Sequence, residues 1–169
     1  MTHAIYTASI PVFKQMLGGL KEVLRKAEAH ATEKKIDPNA LLQARLYPDM
    51  FPLLRQVQVA SDFAKSVSAR LAGVEVPKLD DKEQTFADLQ ARIDTVLAFL
   101  NGLPVDNFEA AATREIVTQA GTPKEKRFTG QSYLFNYGLP HFFFHTTTAY
   151  AILRHNGVEV GKKDYIGSY

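Results

Sequence analysis

The sequence predicts an all-α protein, a four-helix bundle with a long connection before its last helix. Three observations support this prediction. Apolar residues recur at alternating intervals of four and three in separate stretches, as in helices that pack along a seam. Turn-forming residues separate those stretches. The 169 residues are 46% hydrophobic and 22% charged, a balance typical of a globular domain, which we take as one domain over residues 1–169.

The first predicted helix covers about residues 4–34, and Pro11 either kinks it or marks the start of its regular part. The pattern breaks after Ile36, where Asp37 or Asn39 is suited to cap a short turn. The seam of this helix consists of Tyr6, Ile10, Phe13, Leu17, Leu20, Leu24 and Ala27.

The second predicted helix runs to about Leu71, with Asp49 as its N-cap and Pro52 in its first turn, and Gly73 and Pro77 end it. Its inward stripe consists of Leu53, Gln56, Ala60, Phe63 and Val67. Its charged residues are placed mostly on other faces, and they are Arg55, Asp62, Lys65 and Arg70. The third helix spans roughly residues 84–100 and ends at Asn101-Gly-Leu-Pro.

The pattern loosens between Val105 and Leu139, and we interpret this stretch as a long connection that holds a short β-hairpin around Gly121. An alternative is a five-helix array in which residues 106–112 form an extra short helix. The fourth helix then covers about residues 140–154 and stops at Asn156-Gly157.

Composition excludes several classes of protein. The formal net charge is +2 with acidic and basic residues mixed, so no basic stripe indicates nucleic-acid binding. Cysteine is absent, which excludes disulfides, thiolate metal sites and a cysteine nucleophile. We read no signal peptide and no apolar run of about 20 residues, so we expect a cytoplasmic protein that does not enter a membrane.

His141 and His145 lie one helical turn apart at the start of the fourth predicted helix. Side chains at i and i+4 share a helix face, so both imidazoles can offer a nitrogen to one divalent metal ion. Such a site needs a further ligand from a facing helix, and water. The alternative is two histidines packed or hydrogen-bonded in an aromatic pocket beside residues 142–144. A bare pair at this spacing is a weak motif, and both interpretations stay open.

Gln56 is the second anomaly, because it occupies a core-facing position on the second helix. Its side-chain oxygen is a candidate metal ligand, although a neutral amide is a poor ligand for zinc. Alternatively, the amide hydrogen-bonds across the bundle to His141 or His145. Tyr133, Tyr137 and Tyr47, with Arg45, are candidates to line the mouth of a pocket, although packing is the usual role of tyrosines on a loop over a bundle.

Longer stretches of the chain are similar to a known family. The order of the helices, Phe86-Ala-Asp-Leu-Gln-Ala-Arg-Ile in the third and His141-Phe-Phe-Phe-His145 in the fourth resemble the DinB/YfiT-like superfamily of metalloenzymes. More narrowly, Arg45-Leu-Tyr-Pro-Asp-Met-Phe-Pro-Leu and Asn136-Tyr-Gly-Leu-Pro-His resemble an uncharacterised branch known only as a domain of unknown function. The resemblance covers nearly the whole chain.

The resemblance implies an up-down-down-up four-helix bundle, a fold that commonly forms dimers. It also implies a zinc or nickel ion bound by three histidines, one on the second helix and an i, i+4 pair on the fourth. His141 and His145 match that pair, whereas Gln56 falls at the position of the second-helix histidine. Characterised relatives include thiol-dependent transferases and isomerases, and this analogy of fold assigns no reaction.

Two hypotheses of function follow. The first is a metal-dependent enzyme with a degenerate site at Gln56, His141 and His145, where an open metal position admits substrate. The second is a non-catalytic, metal-free bundle that binds an apolar small molecule or serves to pack a dimer.

We also expect a two-fold symmetric homodimer. Apolar residues outside the main seams motivate this expectation, since an exposed apolar patch commonly marks an interface. Those residues are Ile5, Met16, Val23, Leu97 and Phe99. The alternative is that the long connection or the C-terminal tail covers the same surface within one chain.

Overall fold

Long helices build the protein, whose computed structural model describes residues 4–169. Within that range four helices exceed fifteen residues: α1 (Ala4–Lys34), α3 (Leu53–Ala72), α4 (Phe86–Asn101) and α6 (Leu139–His155). The short helix α2 (Pro38–Leu42) follows α1, and α7 (Lys162–Ile166) lies near the C-terminus. No helix in the described part of the chain is both long enough and apolar enough to cross a bilayer.

The four long helices close into a bundle around one apolar core. α1 packs against α4, α4 against α3, α3 against α6, and α6 against α1, with the contact between α3 and α6 the most extensive. Each helix contributes its seam to the core, for example Phe13, Leu53, Leu89 and Phe142, which are buried. The predicted all-α bundle is therefore confirmed.

Local signals set the helix ends. The Asp37 side chain caps α2 by accepting from the backbone N–H of Asn39 at 2.9 Å, as expected. α3 begins later than predicted, because Pro52 is its N-cap and Asp49 lies in the turn before it. Gly73 ends α3 in the left-handed conformation, at φ 70°.

The connection between α4 and α6 contains the predicted hairpin. Strands β1 (Glu115–Thr118) and β2 (Lys126–Thr129) pair antiparallel, with Glu115 opposite Thr129. The alternative of an extra helix over residues 106–112 is wrong, since only a 3-10 turn forms there, at Val105–Phe108.

The last part of the connection is helical. Helix α5 (Gly130–Tyr133) continues through a π-helical turn (Leu134–Gly138) directly into α6. The prediction of a loop up to Leu139 is wrong for this stretch. In the structure, Tyr133 and Tyr137 lie on the same continuous helical stretch as the two histidines. Pro140 lies in the first turn of α6, directly after the π-helical turn, and does not interrupt the helical stretch.

Most of the apolar residues that motivated a dimer are covered within one chain. Ile5, Met16 and Val23 are buried, while Leu97 and Phe99 are half-buried. These residues therefore no longer argue for an interface. The homodimer itself stays a prediction.

Helix α7, which belongs to the C-terminal tail, packs against α1 and covers part of it. A Cβ atom on Gly19 would overlap the carbonyl oxygen of Tyr165, so the two helices meet at a residue without a side chain. Lys26 and Asp164 form an ion pair across this contact at 2.7 Å. The tail is thus packed onto the bundle.

Candidate functional site

The structure brings the three predicted site residues to one face of the bundle, where α3 meets α6. Gln56 and His145 are both buried, with 1% and 8% of their surface exposed. His141 lies one turn closer to the start of α6 and is exposed. Nδ1 of His145 lies 2.7 Å from Oε1 of Gln56, so these two side chains form a direct hydrogen bond.

The position of the proton on His145 follows from the partners of Gln56. The Nε2 group of Gln56 donates to the backbone oxygen of Phe51 at 3.1 Å. A carbonyl oxygen only accepts, so the amide must turn its Oε1 toward His145. Nδ1 of His145 is then the donor, and Nε2 of the neutral ring carries the lone pair.

His141 is oriented in the same way. Its Nδ1 lies 2.7 Å from the backbone oxygen of Tyr137, which only accepts, so Nδ1 donates. Nε2 of His141 therefore also carries the lone pair when the ring is neutral. A hydrogen bond from Nδ1 to an oxygen is the usual way in which proteins orient histidines that bind through Nε2.

Aromatic rings surround both imidazoles. The Phe63 ring on α3 stacks on His141 and on His145, with centroid distances of 4.8 and 5.9 Å. Tyr137 tilts over His141 at 4.3 Å, and Phe144 meets His145 edge-on at 5.1 Å. We call this set of rings, with Tyr133, the ring stack. Phe63 was predicted to face inward, but nothing in the sequence pattern singled it out as part of a site.

His145 is held in the neutral form. Burial, the nearby His141 and the charge of Arg55 lower the pKa of His145 from its ordinary 6.5 to about 4. At neutral pH the ring is thus an unprotonated base whose Nδ1–H is already committed to Gln56.

A resident metal ion fits this donor set in part. Two imidazole nitrogens are available, whereas the Gln56 oxygen already accepts from His145 and its amide nitrogen already donates to Phe51. Across residues 4–169, no group of three or more histidine, aspartate or glutamate side chains is placed to hold a metal. Gln56 therefore acts here as the orienting partner of His145, which is the alternative that the sequence left open.

A cleft of about 190 Å³ adjoins the pair. It shares Phe63 and Tyr137 with the ring stack, and Arg70 lines it together with Tyr133. Arg70 donates to the Tyr133 hydroxyl at 3.0 Å. The sequence placed Tyr133 and Tyr137 at a pocket mouth but did not indicate Arg70 or the wall formed by Thr118, because the docking of the β-hairpin is not visible in any local pattern.

A cluster of buried charges includes Asp62, the residue before Phe63 on α3. The Arg92 side chain on α4 is only 1% exposed and pairs with Asp62, Asp81 and Glu83 at 2.9, 3.1 and 2.9 Å. Lys65, which was predicted to face outward, is buried and pairs with Asp62 at 2.8 Å. These ion pairs tie α3, α4 and the loop between them together.

Comparison with known proteins places this bundle in a class. A crystal structure of a DinB family member protein from Shewanella denitrificans is 46% identical, covers 98% of this chain and 93% of its own, and superposes with a TM-score of 0.92. The chain is thus a DinB-like helical-bundle protein. Residues 5–166 match the family described as "Domain of unknown function (DUF1993)", and the chain belongs to that family. No curated protein matches it.

Proposed function

We propose that this DinB-like protein binds a divalent cation, zinc or nickel, through the Nε2 atoms of His141 and His145. The observation that carries the proposal is the pair of Nδ1 hydrogen bonds, to Tyr137 and to Gln56, which leaves a lone pair on each Nε2. The i, i+4 spacing puts both rings on one face of α6, against Phe63.

Two further features support cation binding. The lowered pKa of His145 means that no proton competes for its lone pair at neutral pH. The Gln56 oxygen fixes the ring and increases its basicity as an outer partner, so Gln56 contributes without touching the ion. An ion held by two imidazoles keeps open positions, where it would supply Lewis-acid chemistry to a substrate.

Calorimetric titration of untagged protein with zinc or nickel tests this proposal. Wild type is expected to bind one equivalent, and His141→Ala is expected to lose that binding, because a single imidazole remains. His155→Ala is the matched control, since His155 is exposed at the far end of the same helix. Equal binding by wild type and His141→Ala would remove the basis of the proposal.

A second candidate function is a metal-free site for an apolar small molecule. Two observations favour it. Both polar atoms of the Gln56 side chain are already hydrogen-bonded within the protein, and aromatic rings such as Phe63 surround the histidines. A thermal-shift comparison separates the candidates, because a ligand that binds only the native state raises its stability. A rise with zinc or nickel alone supports the cation site, and a rise with apolar ligands alone supports the second candidate.

The homodimer is a separate proposal, supported by the frequency of dimers in folds of this type and not by any contact within the chain. Light scattering of the purified protein tests it. A mass of two chains at micromolar concentration is expected, and a mass of one chain would refute it.

A further inference from the structure

The cleft beside the ring stack contains a cation, Arg70, that has no carboxylate partner in the described part of the chain. Arg70 donates to the Tyr133 hydroxyl and makes no ion pair within residues 4–169. Asp62 also lines the cleft, but its carboxylate already accepts from Lys65 at 2.8 Å and from Arg92 at 2.9 Å. The cleft therefore presents an unpaired guanidinium beside a carboxylate whose Oδ1 already accepts from two cations.

The remaining walls suit a flat ligand body. The aromatic residues Phe63 and Tyr137 line the cleft, and Ser66 and Tyr133 add hydroxyl-bearing side chains to its lining. Lys126 adds positive charge nearby, with its Nζ 5.8 Å from the centre of the Tyr137 ring. Pockets for drug-sized ligands measure about 300–1,000 Å³, so a cleft of about 190 Å³ suits a molecule with one ring.

We propose that this cleft binds a small carboxylate carried on a planar unsaturated body, such as an aromatic acid. The carboxylate accepts from the Arg70 guanidinium, whose forked donors match its two oxygens, and from the Tyr133 hydroxyl. The body packs against Phe63 and Tyr137, which places the other end of the ligand toward His141. This inference goes beyond cation binding and does not depend on an ion being present.

Titration of the metal-free protein with benzoate, followed by NMR, tests the inference. Benzamide is the matched ligand, because it has the same size and shape without the negative charge. Wild type is expected to bind benzoate, with shift changes at Tyr133 and Tyr137, and to bind benzamide more weakly by about tenfold or more. Arg70→Gln is expected to lose the preference for benzoate, and Arg70→Lys, which keeps the charge but not the fork, to fall between the two.

Arg154→Gln is the control variant, because it removes the same charge from an exposed position on α6. It is expected to bind benzoate as wild type does. Absence of benzoate binding to wild type, equal binding of benzamide, or full binding by folded Arg70→Gln would each overturn the inference. Zinc titration of Arg70→Gln keeps the two proposals apart, since the cation site is expected to survive that change.

Discussion

Oε1 of Gln56 lies 2.7 Å from Nδ1 of His145, and this bond joins α3 to α6 inside the bundle. A glutamine can serve both the imidazole and the Phe51 carbonyl, because its amide accepts with one atom and donates with the other. The side chain that stands where the resemblance implies a histidine therefore fixes the orientation of the His145 ring through a hydrogen bond.

Gln56→Leu is expected to destabilise the protein by about 1–3 kcal/mol, because it leaves Nδ1–H of His145 and the Phe51 carbonyl without partners. Urea unfolding measures the change. Gln131→Leu is the control, since Gln131 is exposed on α5, and its free energy of unfolding is expected to stay near that of wild type. Equal stability of the two variants would contradict the structural role of Gln56.

The stability of the protein is expected to fall as the pH decreases from about 6.5 to about 4. The pKa of His145 is lowered to about 4 in the folded state, whereas an unfolded histidine titrates near 6.5. Between these values the unfolded chain binds a proton that the folded chain does not, so His145 contributes about 1.4 kcal/mol of slope per pH unit. The contribution is complete above about pH 6.5 and is lost near pH 4.

Unfolding free energies measured between pH 7 and pH 4 check this prediction. His145→Gln is expected to flatten the pH dependence relative to wild type. His155→Gln is the control and is expected to retain the wild-type slope, because His155 is exposed. A wild-type slope in His145→Gln would show that other groups cause the effect.

Alanine at two neighbouring glycines of α1 is expected to have opposite effects. A Cβ at Gly18 meets no atom within 4 Å, so Gly18→Ala is expected to stabilise the helix by about 0.5–1 kcal/mol. A Cβ at Gly19 would overlap the Tyr165 carbonyl, so Gly19→Ala is expected to displace α7 at a cost of about 1–3 kcal/mol. Thermal unfolding of the two variants measures the contrast, and similar midpoints would mean that α7 does not pack here.

Arg92→Ala is expected to cost about 2–4 kcal/mol, because it leaves three carboxylates facing each other around a buried gap. Solvent screens part of the repulsion, because Asp62 and Asp81 are partly exposed. Arg25→Ala removes an exposed pair with Glu22 and is expected to unfold close to wild type. Chemical denaturation compares them, and a small effect at Arg92 would mean that solvent compensates the carboxylates.

The four long helices could be predicted from sequence because their apolar spacing is local. The helical stretch from Gly130 to Gly138 could not, since its glycines and Pro140 resemble a break. Both glycines allow a neighbouring segment to pack closely against the helix. A Cβ at Gly130 would overlap the Ala111 carbonyl, and one at Gly138 would lie 2.9 Å from Val67 Cγ2. Such a requirement depends on a neighbour distant in sequence.

For the candidate site, the sequence predicted the central residues but not the charged residues buried near them. His141 and His145 stand out by their i, i+4 spacing, and Gln56 stands out because a polar residue at a core-facing position breaks the apolar pattern. The buried ion pairs of Lys65 and Arg92 do not stand out, since a charged residue on a helix is ordinarily solvated. The Arg92 side chain is buried because the loop between α3 and α4 places Asp81 and Glu83 against it. The spacing of residues in the sequence does not indicate how that loop folds.

The ring stack also makes the site visible to spectroscopy. The sequence has no tryptophan, so near-ultraviolet absorption and emission of the chain come mainly from its seven tyrosines. Tyr133 and Tyr137 stack on each other at 5.5 Å, and Tyr137 lies against His141. Occupancy of either the histidine pair or the adjoining cleft would therefore alter the near-ultraviolet circular dichroism of the unlabelled protein, which gives the site its own optical signal.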